Sequence, residues 1–211
     1  MQKKNVAILL FDDVEVLDFA GPFEVFSVTG TRSGAEPFNV YTVAETKRPI
    51  DARNQLSINP RYGFDDCPPP DILLVPGGKG TRVEMENAKL IDWIRRMSYS
   101  AELTLSVCTG SLLLAKAGLL HGLAATTHHG NLDLLQELAP KTTIERRRRY
   151  VDGGAVITSA GVAAGIDMSF YVLSRLLGSD VARETAEYIE YPWSGNGTQG
   201  VTEVRPESRP A

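Results

Sequence analysis

The sequence predicts an α/β fold: a mostly parallel sheet with helices on both faces, arranged as a flavodoxin-like sandwich. Continuous apolar runs at residues 6–11 and 72–75 lack the polar alternation of a half-exposed strand and match strands buried on both faces. Segments of helical period lie between such runs, and alternating strands and helices build a covered parallel sheet. Three strand ends carry unusual residues (Asp12 to Pro22, Gly77 to Gly80, and Cys108-Thr109), where sheets of this kind place their ligand crevice.

The elements follow in order. After the first strand Asp12 and Asp13 break the run, and Gly21-Pro22 opens a helix through Val28, with proline in a first turn that needs no N–H. Residues 38–43 form the second strand. Residues 44–66 make a short β excursion, because 55–59 alternate. Residues 71–76 are a buried strand ending in Gly77-Gly78-Lys79-Gly80. Leu90, Ile91, Ile94 and Met97 recur at helical spacing between 86 and 97. A strand at 103–108 then runs straight into a helix at Thr109-Gly110 that is apolar on nearly every face from Leu112 to Leu120, as a buried helix would be.

A short strand at 124–127 and a short helix at 132–138 come next. Asp152-Gly153-Gly154-Ala155 turns a hairpin. Ile166, Phe170, Leu173 and Leu177 mark a long amphipathic helix stopped by Gly178, and Ser179-Asp180 caps a last helix running to about Glu190. The expected organisation is one domain over residues 1–192 and a tail over 193–211 rich in Gly, Pro, Ser and Thr.

Composition narrows the function classes. With 211 residues, 43% hydrophobic and 23% charged, the chain has the make-up of one ordinary globular domain. A formal charge of -4 gives no electrostatic case for nucleic acid. No apolar stretch approaches membrane-spanning length, and the start of the chain lacks a signal-peptide pattern, so cytoplasmic residence is the expectation. Two cysteines make neither a disulfide framework nor a zinc spacing, and no cofactor-ligand cluster is visible.

Cys108 is the leading candidate for chemistry. At a strand-to-helix corner the new helix aims its free N–H groups at the side chain, which should stabilise a thiolate. A small buried hydrophobe is the plainer alternative. Asp18, between apolar neighbours, is either a helix N-cap or a carboxyl that exchanges protons near the thiol. Gly77 and Gly78 make a tight turn whose N–H groups, with that of Thr109, could also steady developing negative charge. Thr109 adds a hydroxyl. His128 or His129 could complete a Cys-His pair, although a structural histidine is an equal reading. Cys67, on a loop before three prolines, reads as structural and His121 as a surface residue. Glu145 followed by Arg146, Arg147, Arg148 and Arg149 reads as a solvated edge or a dimer contact rather than a nucleic-acid site.

Leu17-Asp18-Phe19-Ala20-Gly21-Pro22, Pro76-Gly77-Gly78, Ser106-Val107-Cys108-Thr109-Gly110-Ser111 and Ala160-Gly161-Val162-Ala163-Ala164-Gly165-Ile166-Asp167 resemble the ThiJ/PfpI superfamily, the class I glutamine amidotransferase-like α/β fold. The resemblance covers about residues 6–192 and is nearest to the isocyanide hydratase branch and to the ligand-like domain of AraC-type regulators. It implies a nucleophile-elbow cysteine, a homodimer and a small-molecule substrate, with no cofactor and no membrane or nucleic-acid partner. Protease-like members carry histidine where this chain has Thr109, and members acting on glyoxals carry glutamate where it has Asp18, so both activities are disfavoured. Regulators of this kind continue into a helix-turn-helix region, and none follows here before Ala211.

The implied function is hydration of an isocyanide to an N-substituted formamide through a thioimidate on Cys108. Asp18 and Thr109 would be catalytic, with Gly77, Gly78 and His128 binding substrate or oxyanion. The alternative is a ligand-sensing or redox-responsive domain without turnover. Tyr188, Tyr191 and Trp193 would suit a dimer interface, or pack on their own core.

Overall fold

A computed structural model describes residues 3–195. In chain order the elements are β1 (Lys4–Leu9), α1 (Val16–Val28), β2 (Phe38–Ala44), β3 (Ile50–Ala52), β4 (Leu56–Ile58), β5 (Tyr62–Gly63), β6 (Ile72–Val75), α2 (Thr81–Glu84), α3 (Ala88–Ser100), β7 (Leu103–Ser106), α4 (Gly110–Lys116), β8 (Ala124–Ala125), α5 (Leu132–Leu138), β9 (Thr143–Ile144), β10 (Tyr150–Asp152), β11 (Val156–Ser159), α6 (Ala164–Leu177) and α7 (Ser179–Tyr188). Seven strands form one sheet in the order β10-β11-β7-β6-β1-β2-β5, and every pair in it is parallel except β10 with β11. The predicted α/β class with a mostly parallel sheet is therefore the observed one.

β1 lies inside the sheet, with Val6 opposite Val40 of β2 on one side and Ile72 of β6 on the other. That is why its apolar run does not alternate. The chain steps from β1 to β2 in one direction and from β6 to β7 in the other. Right-handed crossovers then send α1 to one face and α3 and α4 to the opposite face. Packing agrees: α1 contacts α6 and α7, while α4 contacts α3 and α5. The reversal falls between β1 and β6, the switch point outside which such sheets bind ligands.

The loops leaving these two strands are tied together. Val14 bridges Gly78, the Glu15 N–H donates to Gly77 O at 2.9 Å, and the Gly80 N–H donates to Asp13 O at 3.2 Å.

Several expectations need correction. α1 begins at Val16, five residues before Gly21, so Pro22 lies inside the helix and Asp18 sits in its first turn rather than ahead of it. Gly21 is required there, because a Cβ would stand 2.8 Å from Ile166 of α6. Residues 145–149 form no extended edge strand: Arg146 and Arg147 lie in a turn, and Arg146 and Arg149 are ion-paired with Asp133 and Asp167. Of the two readings left open for the C-terminal aromatics, packing on the chain's own core is the one seen for Tyr191 and Trp193, which stack on Phe170 with ring centroids 5.4 and 5.6 Å away. Tyr188 stays exposed beneath Arg32. The part of the expected tail beyond residue 195 lies outside the described residues.

Candidate active site

β7 ends at Ser106, and the chain turns through Val107 and Cys108 into α4. Cys108 has a φ of 55°, in the left-handed region that costs a side-chain-bearing residue about 1–3 kcal/mol. The corner is held from several sides. Its N–H is shared between Ser159 O at 3.2 Å and Ala160 O at 3.1 Å. Its carbonyl accepts from the Thr127 hydroxyl at 2.9 Å and the Ser111 hydroxyl at 3.2 Å. Gly110 lets the turn approach β6, since a Cβ there would stand 2.1 Å from Val75 O.

The thiol shares a buried space with Asp18. Asp18 Oδ2 accepts the Gly77 N–H at 2.9 Å, while Oδ1 is buried with no partner of full hydrogen-bond geometry. Gly77 must be glycine: a Cβ would lie 2.5 Å from Thr109 N and 2.9 Å from Asp18 Oδ2. The Gly78 N–H donates to Thr109 Oγ1 at 3.0 Å. Both amides expected to face a ligand are thus engaged inside the protein, one fixing the Asp18 carboxyl and the other the Thr109 hydroxyl.

Burial pushes the Asp18 carboxyl up to about 7, against the Gly77 N–H, with the charge of Glu15 adding to the rise and the Cys108 hydrogen bond opposing it. Burial also pushes the Cys108 thiol up to about 12, helped by the Asp18 charge. The amides of Thr109 and Val162 and the Thr109 hydroxyl bond the sulfur and pull the other way. The expected lowering by the helix start is therefore present but outweighed. What the site resists is two negative charges at once: the pair loses its first proton near 7 and keeps the second across the neutral range. A sulfur and a carboxyl sharing one proton can supply both a nucleophile and an acid.

Cys108 opens on a cleft of about 610 Å³ that Thr109, Gly78 and His128 also line, while Asp18 stays fully buried behind it. Of the two histidines, His128 lines this cleft. Its Nδ1 accepts from the Gly130 N–H at 3.2 Å, which leaves Nε2 to carry the proton, and burial, His129 and Arg82 lower its pKa. It is a neutral donor there. Cys67 is half-buried away from the cleft, and burial raises its pKa. Among the described residues no three His, Cys, Asp or Glu side chains converge as metal ligands, and no helix is long and apolar enough to cross a membrane.

Two further groups at the site escaped the sequence reading. Val162 donates its N–H to the sulfur from a φ of 46°, a severe position for a β-branched residue. Thr81 is buried, donates to Gly78 O at 2.8 Å and lies 3.3 Å from Thr109 Oγ1. Nothing in the linear pattern marks either residue, apart from Val162 lying in the Ala160 to Asp167 motif.

Comparison with known proteins agrees with this architecture. The model of the DJ-1/PfpI family matches residues 4–175. An isonitrile hydratase of Pseudomonas putida is 36% identical over 187 residues, which span 89% of this chain and 78% of that protein. The HTH-type transcriptional regulator GbdR of Pseudomonas aeruginosa (strain UCBPP-PA14) is 27% identical over 188 residues, spanning 89% of this chain but about half, 51%, of the regulator. A solved ThiJ/PfpI family protein from Pseudomonas syringae superposes with a TM-score of 0.82 at 30% identity, over 91% of this chain and 76% of that one. The family model spans most of the chain, and with the sequence identity and superposition just given, the chain belongs to the DJ-1/PfpI family.

Proposed function

We propose that the protein hydrates an isocyanide to an N-substituted formamide, with Cys108 as nucleophile and Asp18 as proton carrier. The observation behind this reading is the buried placement of the Asp18 carboxyl beside the Cys108 thiol, a pair that gives up its first proton near 7 and holds the second well above it. The sulfur attacks the terminal isocyanide carbon, forming a C–S bond, while the shared proton passes from Asp18 to that carbon. The product is a thioimidate. Asp18, now a carboxylate, takes a proton from water as the hydroxide adds to the same carbon, and passes that proton to nitrogen. The C–S bond then breaks as the hydroxyl proton returns to Asp18, giving the formamide and restoring the pair. Thr109 and the His128 Nε2–H orient substrate and water.

Similarity to the P. putida hydratase supports the same chemistry. The test is formamide production from an aryl or alkyl isocyanide by the purified protein, followed by mass spectrometry. Turnover well above that of Cys108→Ala and Asp18→Asn is expected, and equal background rates sink the reading. Similarity to GbdR favours a second reading, a ligand-sensing or redox-responsive domain without turnover. That reading predicts a Cys108 oxygen adduct in intact mass after mild peroxide, with no formamide.

A further inference from the structure

We propose that the cleft selects an electrophile carrying an anionic group on an apolar body, and that Arg82 and Lys79 make the selection. This rests on the hydration reading and names its substrate class, a carboxylate-bearing isocyanide. Five charged side chains line the cleft: Asp13, Glu15, Arg53, Lys79 and Arg82. Arg53 and Asp13 neutralise each other across 3.4 Å. Glu15 then shares the cleft with two cations, Arg82 and Lys79, neither of which has a carboxylate within ion-pair distance among the described residues.

Of the two, Arg82 is the one oriented by side-chain hydrogen bonds. Its Nη1 donates to Thr81 Oγ1 at 2.9 Å and its Nη2 donates to Asn131 Oδ1. Both acceptors are neutral, so the guanidinium is oriented without being neutralised, and three of its five N–H donors remain free. A fixed, uncompensated guanidinium on the wall of a cleft suits a carboxylate, which it can meet with two parallel hydrogen bonds. His128 beside it is held neutral and supplies no competing charge. Val83, 73% exposed, and Val162 give the same cleft apolar wall for the body of the ligand.

The test compares alkylation of Cys108 by iodoacetate and iodoacetamide, two probes of similar size and the same leaving group that differ in charge. In each case sulfur forms a C–S bond as the C–I bond breaks and iodide departs. The thiol's own acidity affects both reagents alike and cancels in the ratio of rates. Peptide mass spectrometry reads Cys108 and, as an internal reference, Cys67. In the double variant Lys79→Gln/Arg82→Gln the iodoacetate-to-iodoacetamide ratio at Cys108 should fall about tenfold, with the ratio at Cys67 unmoved. Arg82→Lys, which keeps the charge, should lose less. In wild type, 1 M salt should lower the ratio at Cys108 in the same direction, a reading that needs no variant.

A ratio indifferent to both the double substitution and salt overturns the proposal. So does a ratio at Cys108 that rises in the double variant or with salt. Neither result depends on formamide production, which judges the hydration reading separately.

Discussion

Replacing Asp18 with asparagine should change how stability depends on pH, with a sign and size set by burial. The carboxyl ionises at its ordinary 3.8 in the unfolded chain and at about 7 in the folded protein. Between those values the native state holds the extra proton, so wild-type stability falls as pH rises through the window. Below 3.8 both states are protonated and nothing is lost; above 7 the loss is complete. At about 1.4 kcal/mol per pH unit, the loss amounts to about 4 kcal/mol at pH 8 and about 1.7 kcal/mol at pH 5. The amide does not ionise, and its oxygen can still accept the Gly77 N–H. Whatever fixed cost the amide carries is the same at both pH values. Urea unfolding should therefore show the stability of Asp18→Asn relative to wild type rising by about 2.5 kcal/mol from pH 5 to pH 8. Which atom of the pair carries the shared proton does not change this outcome, because linkage counts protons rather than locating them. A difference between the two proteins that is flat with pH would refute the burial argument, and one that shrinks would reverse it.

Three other outcomes follow from the geometry. Gly77→Ala places a Cβ against the Thr109 amide and the Asp18 carboxyl, and should cost about 1–3 kcal/mol in urea unfolding together with most formamide production. Val162→Gly should release about 1–3 kcal/mol of backbone strain, offset by about 1 kcal/mol of unfolded-chain freedom; the thermal midpoint should hold or rise, and a clear fall would contradict the strain. The rate of formamide production should climb about tenfold per pH unit below about 7 and then level off, as the pair loses its first proton.

The sequence carried the frame of the fold because burial on both faces leaves a direct mark. β1 and β6 were legible as unbroken apolar runs, and α3 and α6 as 3.6-residue periodicities. The start of α1 was not legible, because Pro22 imitates a first turn while the fold tolerates it within the helix. At the site, Cys108, Gly77, Gly78 and Thr109 were visible as residues at strand ends and Asp18 as an acid following the first strand; Cys108, Gly78 and Thr109 line one cleft, with Asp18 and Gly77 buried behind them. Their hydrogen-bond partners were hidden. Whether the Gly77 N–H faces a ligand or a carboxyl depends on a contact across 59 positions, which no local pattern encodes. The left-handed Val162 violates the local preference that a sequence reading relies on, and such violations are expected where function constrains the backbone.

The acidity of Cys108 has to be argued from the whole pocket rather than from the corner it occupies. A helix start lowers a thiol's pKa through amides that meet the sulfur, and those of Thr109 and Val162 do so here. Yet the same packing that brings these amides to the sulfur removes water from it, and it brings in Asp18 as a second potential negative charge. For a group that must only be a thiolate, this would be a poor arrangement. For a reaction that adds a nucleophile and a proton to one carbon, a pair that resists losing both protons is an advantage, because it keeps the acid available while the sulfur attacks. Burying Asp18 also costs the folded state stability as pH rises from about 4 to about 7. An amide at position 18 would avoid that loss, so a buried acid beside Cys108 is the trade of stability for chemistry that the proposed hydration requires.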